Sequence, residues 1–172
     1  MKLLVGLDLL KRKNKIENLK RTICDCKQCS VYCKIMPGYL VPDDIVNIAN
    51  NFFFPIYETI ESFFEEVFRA SPGATIMVNS IIFKIPTIVP SRKKDSDDCY
   101  FLEDNGKCSI HEYSPWGCRM ADSHMTREEG DIISKIGLAQ ILNSEGYIKI
   151  WNYLNSKNLI SKSPEELRKK IQ

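Results

Sequence analysis

The chain has no dominant charge. Its 24 Lys and Arg residues stand against 22 Asp and Glu, leaving a formal net charge of +2. Basic runs occur at Lys11-Arg12-Lys13 and Arg92-Lys93-Lys94, but they are short and acidic residues interleave elsewhere, so they read as solvated surface, and nucleic acid is not an expected partner. A long hydrophobic run is also lacking. Met1 to Leu10 is apolar but broken by Asp8. Its positive charges mostly follow the apolar stretch and it shows no small-residue cleavage site, so it does not read as a signal peptide. No other stretch approaches the length of a membrane-spanning helix, so no membrane partner is expected and a cytoplasmic location is. Missing as well are a glycine-rich nucleotide loop after a strand, a P-loop and a Ser/His/Asp set, which removes the commonest enzyme signatures. Histidine occurs only twice, as His111 and His124.

What the chain does have is cysteine, seven in all. Cys24, Cys26, Cys29 and Cys33 crowd into CDCKQCSVYC. Cys99, Cys108 and Cys118 punctuate CYFLEDNGKCSIHEYSPWGC, and no cysteine lies between the two groups. In a reducing compartment such a pattern points to metal binding or redox chemistry rather than a disulfide framework, and the odd count agrees. The alternative, that these are buried thiols packed as small hydrophobes, suits a lone cysteine better than a group flanked by lysine, aspartate and glutamine. The expectation is that the fold brings the two groups together around a metal.

The spacing Cys26-x2-Cys29 lets two thiolates of one tight turn reach the same ion, and Cys33 follows closely enough to join them. Cys108-x2-His111 repeats the close pair with an imidazole. The expected ligands are Cys26, Cys29, Cys33, Cys99, Cys108 and Cys118. Cys24, His111 and His124 stand behind them: Cys24 because Cys24-x-Cys26 points its side chains apart, His111 as ligand or support, and His124 as a ligand oriented by Asp122 or a surface residue. Gly106 and Gly117 provide backbone freedom beside Cys108 and Cys118, as Pro37-Gly38 does after the first group. Arg119 follows a ligand candidate directly and would offset the negative charge of bound thiolates. Thiolates suit zinc, cuprous copper and iron–sulfur clusters. The three-cysteine run from Cys26 to Cys33 is closer to a cluster-wrapping loop than to a zinc knuckle, so a [4Fe–4S] cluster is preferred over Zn2+, with both left open.

The remaining pattern predicts one domain over residues 1–172, mainly α with a small β-hairpin and two irregular cysteine-rich loops. Asn14 to Thr22 reads as a short helix. Pro42-Asp43-Asp44 starts another, with Ile45, Val46, Ile48 and Ala49 as its apolar face. Tyr57 to Ala70 repeats Ile60, Phe63, Phe64, Val67 and Phe68 at helical intervals, and Ser71-Pro72-Gly73 is its expected end. The segment ATIMVNSIIFKIPTIVP reads as a hairpin turning at Asn79-Ser80, limited by Pro86 and Pro90. The part from 126 to 172 is helical: a capping box Thr126-x-x-Glu129 opens a helix stopped by Gly146, Tyr147 to Leu154 forms the next, and Ser163-Pro164 starts the last.

Three motifs in the second cysteine region, Cys99-Tyr100-Phe101-Leu102, Gly106-Lys107-Cys108-Ser109-Ile110-His111 and Pro115-Trp116-Gly117-Cys118-Arg119, follow a C-x-F-L…G-x-C-x-I-[YH]…P-x-x-C-R pattern. With the N-terminal cysteines, Pro37 and Pro42-Asp43-Asp44, they make residues 24–124 resemble the CxxCxxCC, or YkgJ-type, zinc- or iron-chelating family, which includes flagellin lysine N-methylases. The family's adjacent Cys-Cys pair is missing here, so one ligand is lost or supplied by Cys24 or a histidine. The resemblance implies a metal-binding protein acting as a redox or metallo-scaffold protein. It also suggests an iron–sulfur-dependent enzyme, such as a protein lysine N-methylase using S-adenosylmethionine. A structural zinc module recruiting a protein partner is the third reading.

Overall fold

The computed structural model of the chain describes residues 33–34, 37–52, 57–78, 81–119, 125–162 and 166, with 75–78 and 119 described for their backbone only. These residues form a mainly helical structure with one small antiparallel hairpin, as expected. The elements are α1 (Pro42–Phe52), α2 (Ile60–Val67), β1 (Phe68–Val78), β2 (Ile81–Pro90), a 3-10 turn (His111–Tyr113), α3 (Trp116–Arg119), α4 (Arg127–Leu142) and α5 (Glu145–Ser156). No helix among the described residues is long and apolar enough to cross a membrane. The expected helices at Asn14–Thr22 and from Ser163, and the turn at Asn79-Ser80, lie outside the described residues.

The helix expected over Tyr57 to Ala70 is shorter at both ends. It opens at a capping box, in which Thr59 accepts the N–H of Ser62 and Ser62 accepts that of Thr59, and it stops at Val67. Phe68 already starts β1, and Ser71-Pro72-Gly73 lies inside that strand rather than ending the helix. The reason is a bulge. Ser71 pairs with Thr87 and Ala74 with Ile85, so Pro72 and Gly73 together oppose Pro86. Pro86 has no N–H to give a ladder, and a two-against-one bulge absorbs its missing hydrogen bond. Gly73 sits at φ +114°, where a Cβ would fall 2.2 Å from the Ile85 carbonyl oxygen, so only glycine fits. Trp151 donates its indole N–H to the Ser71 carbonyl at 2.9 Å.

Single bridges extend both edges of this two-stranded sheet. Leu40 pairs antiparallel with Ile88, and Ile160 pairs parallel with Ala70. Tyr147, buried on α5, pins the first of these: its hydroxyl donates to the Leu40 carbonyl at 2.8 Å and accepts the N–H of Ile88 at 2.6 Å. Leu40, Ile48, Phe63, Phe68, Ile88 and Leu154 are fully buried around this point and form the centre of the core. The chain leaving the bridge toward lower numbers, Tyr39 and Gly38, is thereby held at a set place on the core's edge.

On α1 the expected apolar face is shifted. Val46 is exposed, whereas Asp44 is buried with Ile45 and Ile48. The capping box of α4 forms as expected between Thr126 and Glu129. Gly146 does not stop that helix. Asn143 caps its C-terminus, Ser144 accepts the N–H of Tyr147 to open α5, and Gly146 lies within α5's first turn. A serine N-cap two residues upstream thus places the boundary before the glycine.

Candidate metal centre

The second cysteine region is a succession of tight turns hung from the end of β2. Arg92 bridges antiparallel to Cys99, and Leu102 to Cys108. Between the first pair, Lys93 donates to the Asp98 carbonyl at 2.8 Å, with Asp97 in the left-handed region at φ 60°. Between the second, Glu103 donates to Lys107 and Gly106 to Glu103, and Gly106 takes φ +81° with open space around its missing Cβ. Here glycine supplies the conformational freedom expected beside Cys108. Ser109 returns its N–H to the Phe101 carbonyl at 2.9 Å, and His111 donates to Cys108 at 3.1 Å.

Gly117 and Gly38 act differently from the expectation. Neither has a positive φ among the described residues. They let two backbones touch: a Cβ on Gly38 would lie 2.1 Å from the Cys118 nitrogen, and one on Gly117 would lie 2.3 Å from the Tyr39 nitrogen. The contact is closed by the Gly117 N–H donating to the Tyr39 carbonyl at 2.8 Å. Cys118 is thereby laid against the segment that follows the first cysteine group. The Gly38 N–H donates to the Cys118 thiol, a bond that favours the thiolate.

Cys33 meets the second region directly. The Cys99 N–H donates to the Cys33 carbonyl at 2.9 Å, joining positions 66 residues apart in the chain. Cys99 is buried, while Cys33, Cys108 and Cys118 are partly exposed. Burial pushes the Cys99 thiol up to about 12, and negative charge on Cys33 or Cys108 would push it further; the Phe101 N–H and the Arg92 cation act in the opposite sense. Desolvation likewise raises the Cys118 thiol well above its usual value, followed by the charges of Cys99, Cys33 and Cys108. The four thiols therefore share one electrostatic neighbourhood. Among the described residues, no three His, Cys, Asp or Glu side chains come close enough together to hold a metal ion.

Cys24, Cys26, Cys29 and His124 lie outside the described residues. His111 begins the 3-10 turn and is partly buried. Arg119 closes α3. A different arginine lies against Cys99. Arg92, expected on the solvated surface, is half-buried: its guanidinium donates to the carbonyls of Lys34, at 3.1 Å, and Asp97.

Two further residues were not legible as site residues. Asp44 Oδ2 accepts the N–H groups of Val41 and Trp116, fastening the start of α1 to the start of α3, which carries Cys118. Trp116 in turn donates its indole N–H to the Ile133 carbonyl at 2.6 Å, and Gly137 on α4 makes room for the ring: a Cβ there would lie 2.5 Å from it. A signal for Asp44 existed, because it falls one position before Ile45 and four before Ile48, on the apolar side of the helix. Beneath the loop, Phe101 meets the edges of Phe52 and Tyr100 at 5.3 Å each.

Burial makes Cys99 and Cys118 weak nucleophiles. A desolvated thiol with a raised pKa carries little thiolate at neutral pH and is a poor attacking group. Compared with known families, curated proteins and solved structures, the chain matches none.

Proposed function

We propose that the protein is a cysteine-ligated metalloprotein, a redox or metallo-scaffold protein of a reducing, cytoplasmic compartment. The observation that carries this reading is the hydrogen bond from Cys99 to Cys33, which ties the end of one cysteine group to the start of the other. The shared neighbourhood of Cys33, Cys99, Cys108 and Cys118, and the N–H groups of Phe101 and Gly38 directed at two of their thiols, support it. So does the resemblance of residues 24–124 to the YkgJ-type family. Cys26 and Cys29, seven and four residues before Cys33 in the sequence, would complete the donor set with it, and Cys24 or His111 would supply a further ligand. Such a donor set fits a [4Fe–4S] cluster first and Zn2+ second. The bound centre would supply one-electron chemistry in the first case and a structural crosslink in the second.

The test is anaerobic purification of the full chain followed by metal and sulfide analysis. The expected result is a brown protein with broad absorbance toward the blue end of the visible range, and iron together with acid-labile sulfide. A colourless protein with stoichiometric zinc would move the reading to a structural zinc module. A chain that takes up neither metal would end it.

A further inference from the structure

We propose that the free end of the β-hairpin is a self-association surface: the outer edge of β2 from Ile81 to Ile85 pairs antiparallel with the same edge of a second copy of this chain. This end of the hairpin is apolar on both faces. Ile81 is 58% exposed, Ile82 63% and Phe83 46%, with Lys84 exposed beside them. Strand alternation puts Ile81 and Phe83 on one face and Ile82 on the other. The positions paired with them on β1, Val78, Met77 and Ile76, are apolar too, and no charged residue occurs from Ala74 to Phe83. Three large side chains half-open to water expose roughly 300 Å², a size at which an apolar patch marks an interaction site.

The backbone decides what kind of partner fits. Near the other end of β2, the Ile88 carbonyl accepts the Leu40 N–H at 2.8 Å and the Ile88 N–H goes to the Tyr147 hydroxyl, so the polar groups of Ile88 face away from β1. Every second residue faces the same way, which turns the N–H and C=O groups of Lys84 and Ile82 outward. Among the described residues, no further strand or bridge covers them. A bilayer would take the apolar side chains but leave these backbone groups without partners, whereas a second strand satisfies both. The edge of β1 suits pairing less, because the Pro72-Gly73 bulge bends it. Charge then selects the register of a two-fold pair. Centred on Lys84, the two lysines would oppose each other; centred on Ile82, Lys84 would fall opposite Ser80, outside the strand. Centred on Phe83, Ile82 and Lys84 exchange their backbone hydrogen bonds at two places, the two Phe83 side chains lie side by side, and no charge opposes a like charge. The second copy's strand then starts opposite Ile85, before Pro86 and the Leu40 bridge, so the two protein bodies lie at opposite ends of the pair. The area falls short of the about 800 Å² per partner of a stable interface, so the dimer is a weak one.

The test is sedimentation of the full chain from about 1 μM to about 1 mM, the range in which a weak dimer forms and dissociates. Reductant is present throughout, so that disulfide-linked dimers do not contribute. The expected result is a monomer–dimer equilibrium, with slower deuterium exchange of the Ile82 and Lys84 N–H groups in concentrated than in dilute protein. Two charge variants then read the register. Ile82→Lys sets a lysine opposite Lys84 of the second copy at two places and should weaken the dimer about 10–100-fold. Ile82→Glu sets a carboxylate there instead and should bind at least about 10-fold tighter than Ile82→Lys. Position 82 is exposed, so both variants should keep the wild-type far-ultraviolet circular dichroism. A chain that stays monomeric, assemblies larger than a dimer, or equal losses in the two variants would overturn the proposal. A monomeric chain that binds phosphatidylcholine vesicles would assign the hairpin to a bilayer and overturn it likewise. Should either variant fail to fold, Phe83→Ser decides: a weakened dimer supports the pairing, and wild-type affinity overturns it.

Discussion

The carboxylate of Asp44 and the backbone of Trp116 are joined by a 2.6 Å hydrogen bond across 72 residues of sequence. The same oxygen accepts the N–H of Val41 at 3.0 Å, and the residue is 2% exposed. One buried anion therefore satisfies two helix-start N–H groups, where the backbone dipole favours negative charge. Asp44→Ala strands both N–H groups and should lower unfolding free energy by about 3 kcal/mol, two charge-assisted bonds less relaxation. Asp44→Asn keeps an acceptor oxygen and should cost less than half of that. Urea denaturation of the three proteins, with unchanged slopes, checks the order.

Gly38 and Gly117 permit a backbone contact that no Cβ could share. Gly38→Ala would set a methyl carbon 2.1 Å from the Cys118 nitrogen, and backbone on both sides leaves no flexible side chain to yield. The two segments must separate, at about 1–3 kcal/mol typical of overpacking. The separation also removes the Gly38 N–H from the Cys118 thiol. The expected outcome is a folded but less stable protein with reduced metal content. Gly146→Ala, at a helical position with open space around it, should be neutral or slightly stabilising and serves as control.

The proposed metal-centre reading predicts that Cys118→Ser lowers metal content to a small fraction of wild type, since Cys99, Cys33 and Cys108 all act electrostatically on its thiol. Cys24→Ser distinguishes two ligand sets. Metal content equal to wild type makes Cys24 a spare. Loss of metal makes Cys24 a ligand of a closed site, and an enzymatic role loses its physical support. Metal and sulfide analysis of both variants, purified anaerobically, supplies the answer.

Glu65 on α2 accepts the Tyr153 hydroxyl of α5 and pairs with Lys157 at 3.3 Å. The tyrosine hydrogen bond, then Lys157, holds its carboxyl below the ordinary glutamate value. A folded pKa depressed below the unfolded one, about 4.3, gives stability that is present above that value. It is lost as pH falls through the folded pKa. Glu65→Gln should therefore be less stable than wild type at pH 7, and the difference should shrink between pH 5 and the acid limit. Paired urea titrations across that range measure it. Because the pair is largely exposed, added salt should narrow the gap at neutral pH.

Local signals carried much of the fold. The capping box at Thr126 and Glu129, the helix start at Pro42 and the β-rich run between Pro72 and Pro90 are all readable within a few residues, because each rests on neighbours in sequence. The misplaced boundaries came from competition between local signals and pairing. Phe68 fits a helical stripe, yet it pairs with Pro90; Pro72-Gly73 resembles a helix stop, yet it is the bulge facing Pro86. The residue types of the candidate site were equally plain, since seven cysteines in two groups are a compositional fact. The sequence by itself determined where the cysteines fall, the turn chemistry around Gly106 and the helix caps. Tertiary structure alone decided which backbone lies against which. It brought Cys33 to Cys99 and Gly38 to Gly117, turned Asp44 inward to Trp116, and laid Arg92, paired with Cys99, against the Lys34 carbonyl. Those relationships depend on contacts between positions 58 to 79 residues apart, where no periodicity, cap or spacing rule reaches.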